Sequence, residues 1–347
     1  MTASVDPDDP VPIAVVGAGN MGSNHVRVLQ ELPDARLVEV VEPNPDRADG
    51  LPLGDDVAVR ASPSDLREAV AATVAVPTDA HRSVTETCIE AGLDVLVEKP
   101  LASTVDDATA LVSLAERHDA VLQVGHIERF NPAVEALGRF LADREIVAIE
   151  AHRLGPFNDH LGDRNVVFDL MIHDLDVAES LVDGRVASVE AAGSIRQSSS
   201  LDYATATLTF SDGVVADLTA SHVTHAKVRD LAVTTDDAYV TLDYQRQEVV
   251  VQRVGSEQTT PLFDGSGYRT ERITETPYIQ SREPLKNELE AFVDCVRRGD
   301  EPRVDGSDGL RAVQRASEVD ARIRSRDHDP ARHRPPERGH TDGGVGR

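Results

Sequence analysis

VPIAVVGAGNMG, residues 11–22, decides the fold of this chain. The apolar run Val11–Gly17 reads as a buried strand, and Asn20–Leu32 after it carries a helical pattern. Between them Gly17, Gly19 and Gly22 stand in the order GxGxxG. The first glycine permits a tight turn, the second lets a pyrophosphate approach the backbone, and the third lets the helix pack closely on the strand. Asn20 and Met21 open the helix, whose unpaired N–H groups favour negative charge. The same spacing occurs in plain glycine-rich turns; strand, loop and helix in succession point to a dinucleotide site.

Working outward, the next strand, Arg36–Val41, ends in Glu42, twenty residues after Gly22. A carboxylate there accepts hydrogen bonds from an adenosine ribose and repels a 2′-phosphate, which favours NAD. Arg47, close by in sequence, would tolerate that phosphate, so NADP is the less favoured alternative; a solvated strand-end acid is the other reading of Glu42. Further strands over Thr73–Val76, Asp94–Glu98 and Ala120–Gly125 alternate with helices over Asp79–Ala91 and Val105–His118. This alternation implies a parallel sheet covered on both faces.

The second half changes character. A helix over Pro132–Ala142 leads to a strand over Ile146–His152 and then to one long apolar segment, Val166–Val182. Strand patterns follow at Val186–Ile195, Ala204–Phe210, Val214–Ser221, Asp230–Thr235, Tyr239–Tyr244 and Glu248–Arg253. Turn pairs such as Asp212-Gly213 suit antiparallel hairpins. Helices over 284–298 and 307–323 close the chain and are expected to pack on this second domain. The expected division is a flexible N-terminus (1–10), an α/β dinucleotide-binding domain (11–127), an α+β domain (128–326) and a disordered tail (327–347).

Acidic residues number 61 against 35 basic ones in 347, a net charge of −26. Such a field repels nucleic acid and anionic lipid surfaces, so neither is an expected partner. Lysine is scarce and arginine supplies most cations, as suits a salt-rich cytoplasm that screens self-repulsion. Cys88 and Cys295 are unpatterned, and no ligand spacing suggests a metal. Neither a signal-peptide order nor an 18-residue apolar run is present, so a cytoplasmic protein is expected.

Three places carry chemistry. Pro77, Thr78 and His81 follow a strand end, where a parallel sheet lines its ligand crevice; Thr78 is either a cofactor contact or a helix cap. Glu98-Lys99-Pro100 delivers an amine to the same sheet edge, able to stabilise alkoxide character on a substrate oxygen. Asp169, His173 and Asp176 recur at i, i+4 and i+7 within the apolar segment, which places them on one helical stripe. A histidine flanked by carboxylates reads as an oriented general base, or as a core histidine with structural acids.

Together the GxGxxG, the Glu98-Lys99-Pro100 triplet, Asp169-x-x-x-His173, and Glu283-Pro284-Leu285-Lys286-Asn287-Glu288 with Phe292 resemble the Gfo/Idh/MocA oxidoreductases. The resemblance spans roughly Pro12 to Arg324 and implies a Rossmann domain followed by an open-faced, mainly antiparallel sheet. That sheet would bind substrate and pair subunits into a homodimer or homotetramer. Lys99 and His173 match the family's catalytic lysine and histidine, and Asp169 the acid that accompanies them; Met171 stands where the family often has glycine. The stretches Asn165–Val177 and Val124–Pro132 resemble the branch that oxidises C3 of UDP-N-acetylglucosamine. On that reading Glu128 and Asn131 join the substrate site, Arg129, Arg153 and Arg164 face a diphosphate, and Asp169 orients His173. The alternatives are a dehydrogenase of inositol or another free sugar, and a non-catalytic NAD-sensing regulator on the same fold.

Overall fold

The computed structural model describes residues 9–157, 163–255, 258–262, 265–269 and 272–327. Most of the expected flexible N-terminus and disordered tail lies outside these described residues. The first sheet holds β1 (Val11–Val16), β2 (Ala35–Val41), β3 (Ala58–Arg60), β4 (Ala71–Val74), β5 (Asp94–Glu98) and β6 (Leu122–Gly125). Their order is β3-β2-β1-β4-β5-β6, and every pair is parallel. The order reverses between β1 and β4, where a doubly wound sheet opens its ligand crevice. Helices α1 (Asn20–Glu31), α2 (Pro45–Ala48), α3 (Thr78–Glu90) and α4 (Val105–His118) connect the strands.

Alternation along β1 explains how both faces are covered. Val11, Ile13 and Val15 pack with Val26 and Leu29 of α1, while Ala14 and Val16 pack with Ile89 of α3 and Leu111 of α4. Burying each such large side chain contributes about 1.5–3 kcal/mol.

The second sheet has eight strands: β7 (Ile146–Leu154), β8 (Val186–Ser194), β9 (Tyr203–Phe210), β10 (Val215–Ser221), β11 (Val228–Thr235), β12 (Tyr239–Asp243), β13 (Glu248–Val254) and β16 (Arg272–Glu275). Strands β14 (Gln258–Leu262) and β15 (Gly265–Arg269) form a separate hairpin. The order is β16-β13-β12-β11-β7-β10-β9-β8, antiparallel throughout except for β7 and β10. In β9, Ala204, Ala206, Leu208 and Phe210 face the core while Thr205, Thr207 and Thr209 face outward. The covered face packs on α5 (Pro132–Leu141) and α6 (Ile172–Leu181); the other face stays open.

Two expectations change. The segment Val166–Val182 is not one uninterrupted α-helix: Val167–Met171 forms a turn of π-helix before α6 begins. Asp169 lies within that turn, so the spacing of a regular α-helix does not apply to it. Nor does the helix over 284–298 pack on the second sheet. This helix, α7 (Pro284–Arg298), lays Leu285, Leu289, Phe292 and Val293 against Val11, Ile13 and Val15 of the first. The last helix, α8 (Gly306–Asp327), bridges the two, with Val313 in the first sheet's core and Ala316, Val319 and Ile323 in the second's.

Candidate active site where the two sheets meet

The glycine loop has the geometry its sequence demands. Gly17 has a φ of +100°, and a Cβ there would lie 2.6 Å from the Ala75 carbonyl. A Cβ on Gly22 would fall 1.7 Å from the Gly17 carbonyl oxygen, so only glycine lets α1 start this close to the turn. Gly19 has nothing within 4 Å of the corresponding position, which leaves open space beside it for a phosphate. Asn20 and Met21 begin α1, whose first turn contains no acidic residue to compete with an anion. Glu42, buried at the end of β2, accepts hydrogen bonds from Ala18 N at 3.0 Å and Asn44 N at 2.9 Å. The carboxylate is thereby fixed against the glycine loop. This cradle fits a dinucleotide.

Pro77 and Thr78 start α3 on the other side of the crevice. His81 does not reach the crevice: its ring is buried, with Nδ1 2.8 Å from the Pro100 carbonyl and Nε2 3.0 Å from the Val76 carbonyl. It ties two strand ends together, and burial lowers its pKa. Glu98 also turns inward, accepting a hydrogen bond from His25 Nε2 at 3.0 Å. Both residues thus make hydrogen bonds within the protein at the ends of β4 and β5.

Lys99 crosses from the first sheet to the second. Its Nζ donates to the Asp169 carbonyl at 2.6 Å and lies 3.9 Å from Asp169 Oδ1. Both side chains retain 18% of their surface, so the pair is accessible from the crevice. Burial lowers the lysine pKa, opposed by the charges of Asp169 and Glu98. Burial acts to raise the Asp169 pKa, but the hydrogen bond from His222 and the charges of Lys99, His222 and Arg164 outweigh it and hold the carboxyl at about 2. Arg164, 63% exposed, lies 3.5 Å from Asp169 Oδ1. His173 sits one turn further on, at the start of α6. Burial, then the charges of Lys99 and Arg153, hold its pKa well below the usual histidine range, so it is a neutral base.

Asp169 does not orient His173. Its Oδ2 accepts instead from His222 Nε2 at 3.0 Å. His222 follows the last residue of β10 and was not among the residues singled out by sequence; its position, a histidine at the end of an apolar strand, parallels that of Lys99. Asp176 lies away from the lysine, with Arg129 NH1 3.3 Å from its Oδ1.

Two of the three arginines expected to face a diphosphate are engaged elsewhere. Arg153 is buried and bidentate to Asp174, at 2.8 Å through both Nε and NH2, and donates to Glu128 Oε1 at 2.8 Å. Asn131 caps α5 through Ala133 N and donates to Glu128 Oε2 and the Tyr244 carbonyl. Glu128, Arg129, Asn131 and Arg153 thus brace β7 and α6 against the turn that precedes α5, and only Arg164 stays exposed. Two clefts of about 590 and 540 Å³ elsewhere on the molecule contain none of the crevice side chains.

Residues 11–126 match the Gfo/Idh/MocA family, described as an oxidoreductase family with an NAD-binding Rossmann fold, and residues 145–243 match the Gfo/Idh/MocA C-terminal domain. The chain belongs to the Gfo/Idh/MocA family. It is 31% identical over 310 residues to the UDP-N-acetylglucosamine 3-dehydrogenase of Acidithiobacillus ferrooxidans, covering 88% of this chain and 95% of that one. The inositol 2-dehydrogenase of Rhizobium meliloti is 27% identical over 333 residues, covering 91% and 96%. The solved structure of the Acidithiobacillus ferrooxidans enzyme GnnA superposes with a TM-score of 0.82 at 29% identity, covering 90% of this chain and 97% of that one. The protein is therefore a sugar or polyol dehydrogenase with a nicotinamide dinucleotide as its cofactor. No helix among the described residues is long and apolar enough to cross a membrane.

Proposed function

We propose that this family member oxidises C3 of UDP-N-acetylglucosamine or a similar nucleotide sugar, with NAD as the acceptor. The observation that carries the chemistry is the meeting of Lys99 with Asp169 across the two sheets, with His173 one turn away. The bound nicotinamide would supply the hydride acceptor. His173 takes the hydroxyl proton as a general base. Lys99 donates a hydrogen bond to the same oxygen and steadies its developing negative charge. Asp169, held by His222, fixes the lysine rather than the base. Glu42 receives the adenosine ribose and disfavours a 2′-phosphate.

The similarity to the Acidithiobacillus ferrooxidans enzyme supports the nucleotide sugar. The engaged state of Arg129 and Arg153 favours a second reading, oxidation of a free polyol, because a diphosphate then has only Arg164 of the expected three. Purified protein in molar salt, given UDP-N-acetylglucosamine, UDP-glucose or myo-inositol with NAD or NADP, separates these. Reduced cofactor is expected with UDP-N-acetylglucosamine and NAD. Turnover of myo-inositol alone would replace the first reading with the second.

A further inference from the structure

The base proposed above must return to its neutral form after every turnover, and its surroundings oppose the charge it acquires. Lys99, Arg153 and Arg229 all disfavour a cationic His173. Its Nδ1 is sealed from solvent and has no hydrogen-bond partner among the described residues. His126, at the end of β6, is close enough that a charge on it would oppose one on His173. Both of its ring nitrogens are likewise buried without partners, and its Nδ1 lies 3.9 Å from Asp176 Oδ2, itself buried and unpartnered. Four orphaned polar atoms thus belong to His173, His126 and Asp176, and the last two residues approach each other to 3.9 Å. Beyond Asp176 is a small cleft lined by Arg129, Glu179, Ser180, Asp308 and Arg311. Ser180 is exposed and Arg311 is 56% exposed, so this cleft reaches the surface.

We infer that His126 and Asp176 form a proton exit that drains the catalytic histidine to the cleft between α6 and α8. The inference rests on His173 being the base. The sugar hydroxyl gives its proton to His173 Nε2, and His173 gives the proton on Nδ1 to a bridging water. That water passes a proton to one nitrogen of His126 as the other nitrogen releases its own to Asp176 Oδ2. Asp176 then loses the proton to solvent. Each group gains one proton as it loses another, so neither ring retains a charge; each ring is left as its other tautomer and exchanges back before the next turnover.

The surroundings suit these roles. Burial, then the charges of Lys99 and Arg129, push His126 down to about 3 against the smaller pull of Asp308 and Glu98, so the ring conducts as a neutral imidazole. Burial raises Asp176 from 3.8 to about 6, with Arg129 and Arg311 opposing. A carboxyl at that value accepts a proton and gives it up again near neutrality. Asp308 and Glu179, both also raised by burial, flank the outlet. These are positioning and transfer groups rather than catalytic residues, since neither touches substrate.

The test compares wild type with Asp176→Asn and His126→Gln, using UDP-N-acetylglucosamine and, separately, myo-inositol. For both variants kcat is expected to fall about tenfold or more, with KM and NAD affinity unchanged. The wild-type kcat is expected to fall below about pH 6, where Asp176 is already protonated, and Asp176→Asn is expected to lose that limb. A wild-type kcat and pH profile in Asp176→Asn, or a loss of kcat that keeps the acidic limb, overturns the exit. If wild type oxidises neither sugar, the functional reading fails, and the exit is judged by carboxyl NMR on sugar-free enzyme. Asp176 must then titrate near 6 and move in His126→Gln; a midpoint near 3.8 overturns the exit.

Discussion

Lys99 is held from two directions: its own strand brings it to the crevice, and the Asp169 carbonyl and carboxylate receive it there. Replacing it with Met removes the donor while preserving length. Lys99→Met should lower kcat by orders of magnitude while NAD affinity, read by fluorescence titration, stays within a few-fold; stopped-flow turnover close to wild type would remove the amine from the chemistry. The lysine and its motif were legible in the sequence because a charged residue ends an otherwise apolar strand. The partner of Asp169 was not. His222 is 53 residues distant in the chain and reaches Asp169 because β10 packs against the turn of π-helix, a tertiary contact that no local pattern encodes.

At the level of elements, the turn of π-helix at Val167–Met171 lies where the i, i+4, i+7 spacing assumed a regular α-helix. Nothing in Val166–Val182 marks an inserted residue, since apolar side chains continue on all sides. The doubly wound first sheet was legible nearly in full because its buried strands form continuous apolar runs; β3, three residues long, was too short to register. The apolar stripe of α7 was legible as well, but not the sheet it covers. The buried grip of Arg153 on Asp174 and Glu128 is the bracing joint between β7, α6 and the turn before α5. Asp174→Ala leaves that guanidinium short of a partner and should cost about 3–5 kcal/mol in urea unfolding. The exposed pair of Arg164 with Asp169 should matter by about 1 kcal/mol or less when Arg164→Ala is measured alongside. Equal effects would contradict the structural assignment of Arg153.

For the whole molecule, charge dominates. A net charge of −26 opposes compaction, and ionic strength relieves it because the Debye length shrinks from about 10 Å at 0.1 M to about 3 Å at 1 M. The midpoint of thermal unfolding should therefore rise steadily from low salt to molar sodium chloride. A flat response would show that local pairs such as Arg27–Glu283 and Arg297–Asp34 already neutralise the field.

The route of the chain back to its own beginning has one more consequence. Because α7 covers β1 only after the entire second sheet has been made, a ribosome releasing this polypeptide leaves Val11, Ile13 and Val15 covered by α1 alone until nearly all of it has emerged. Vectorial synthesis thus cannot finish the first half early: the nucleotide-binding half waits for residues near 290, and a nascent chain stalled before them offers a sticky surface to chaperones.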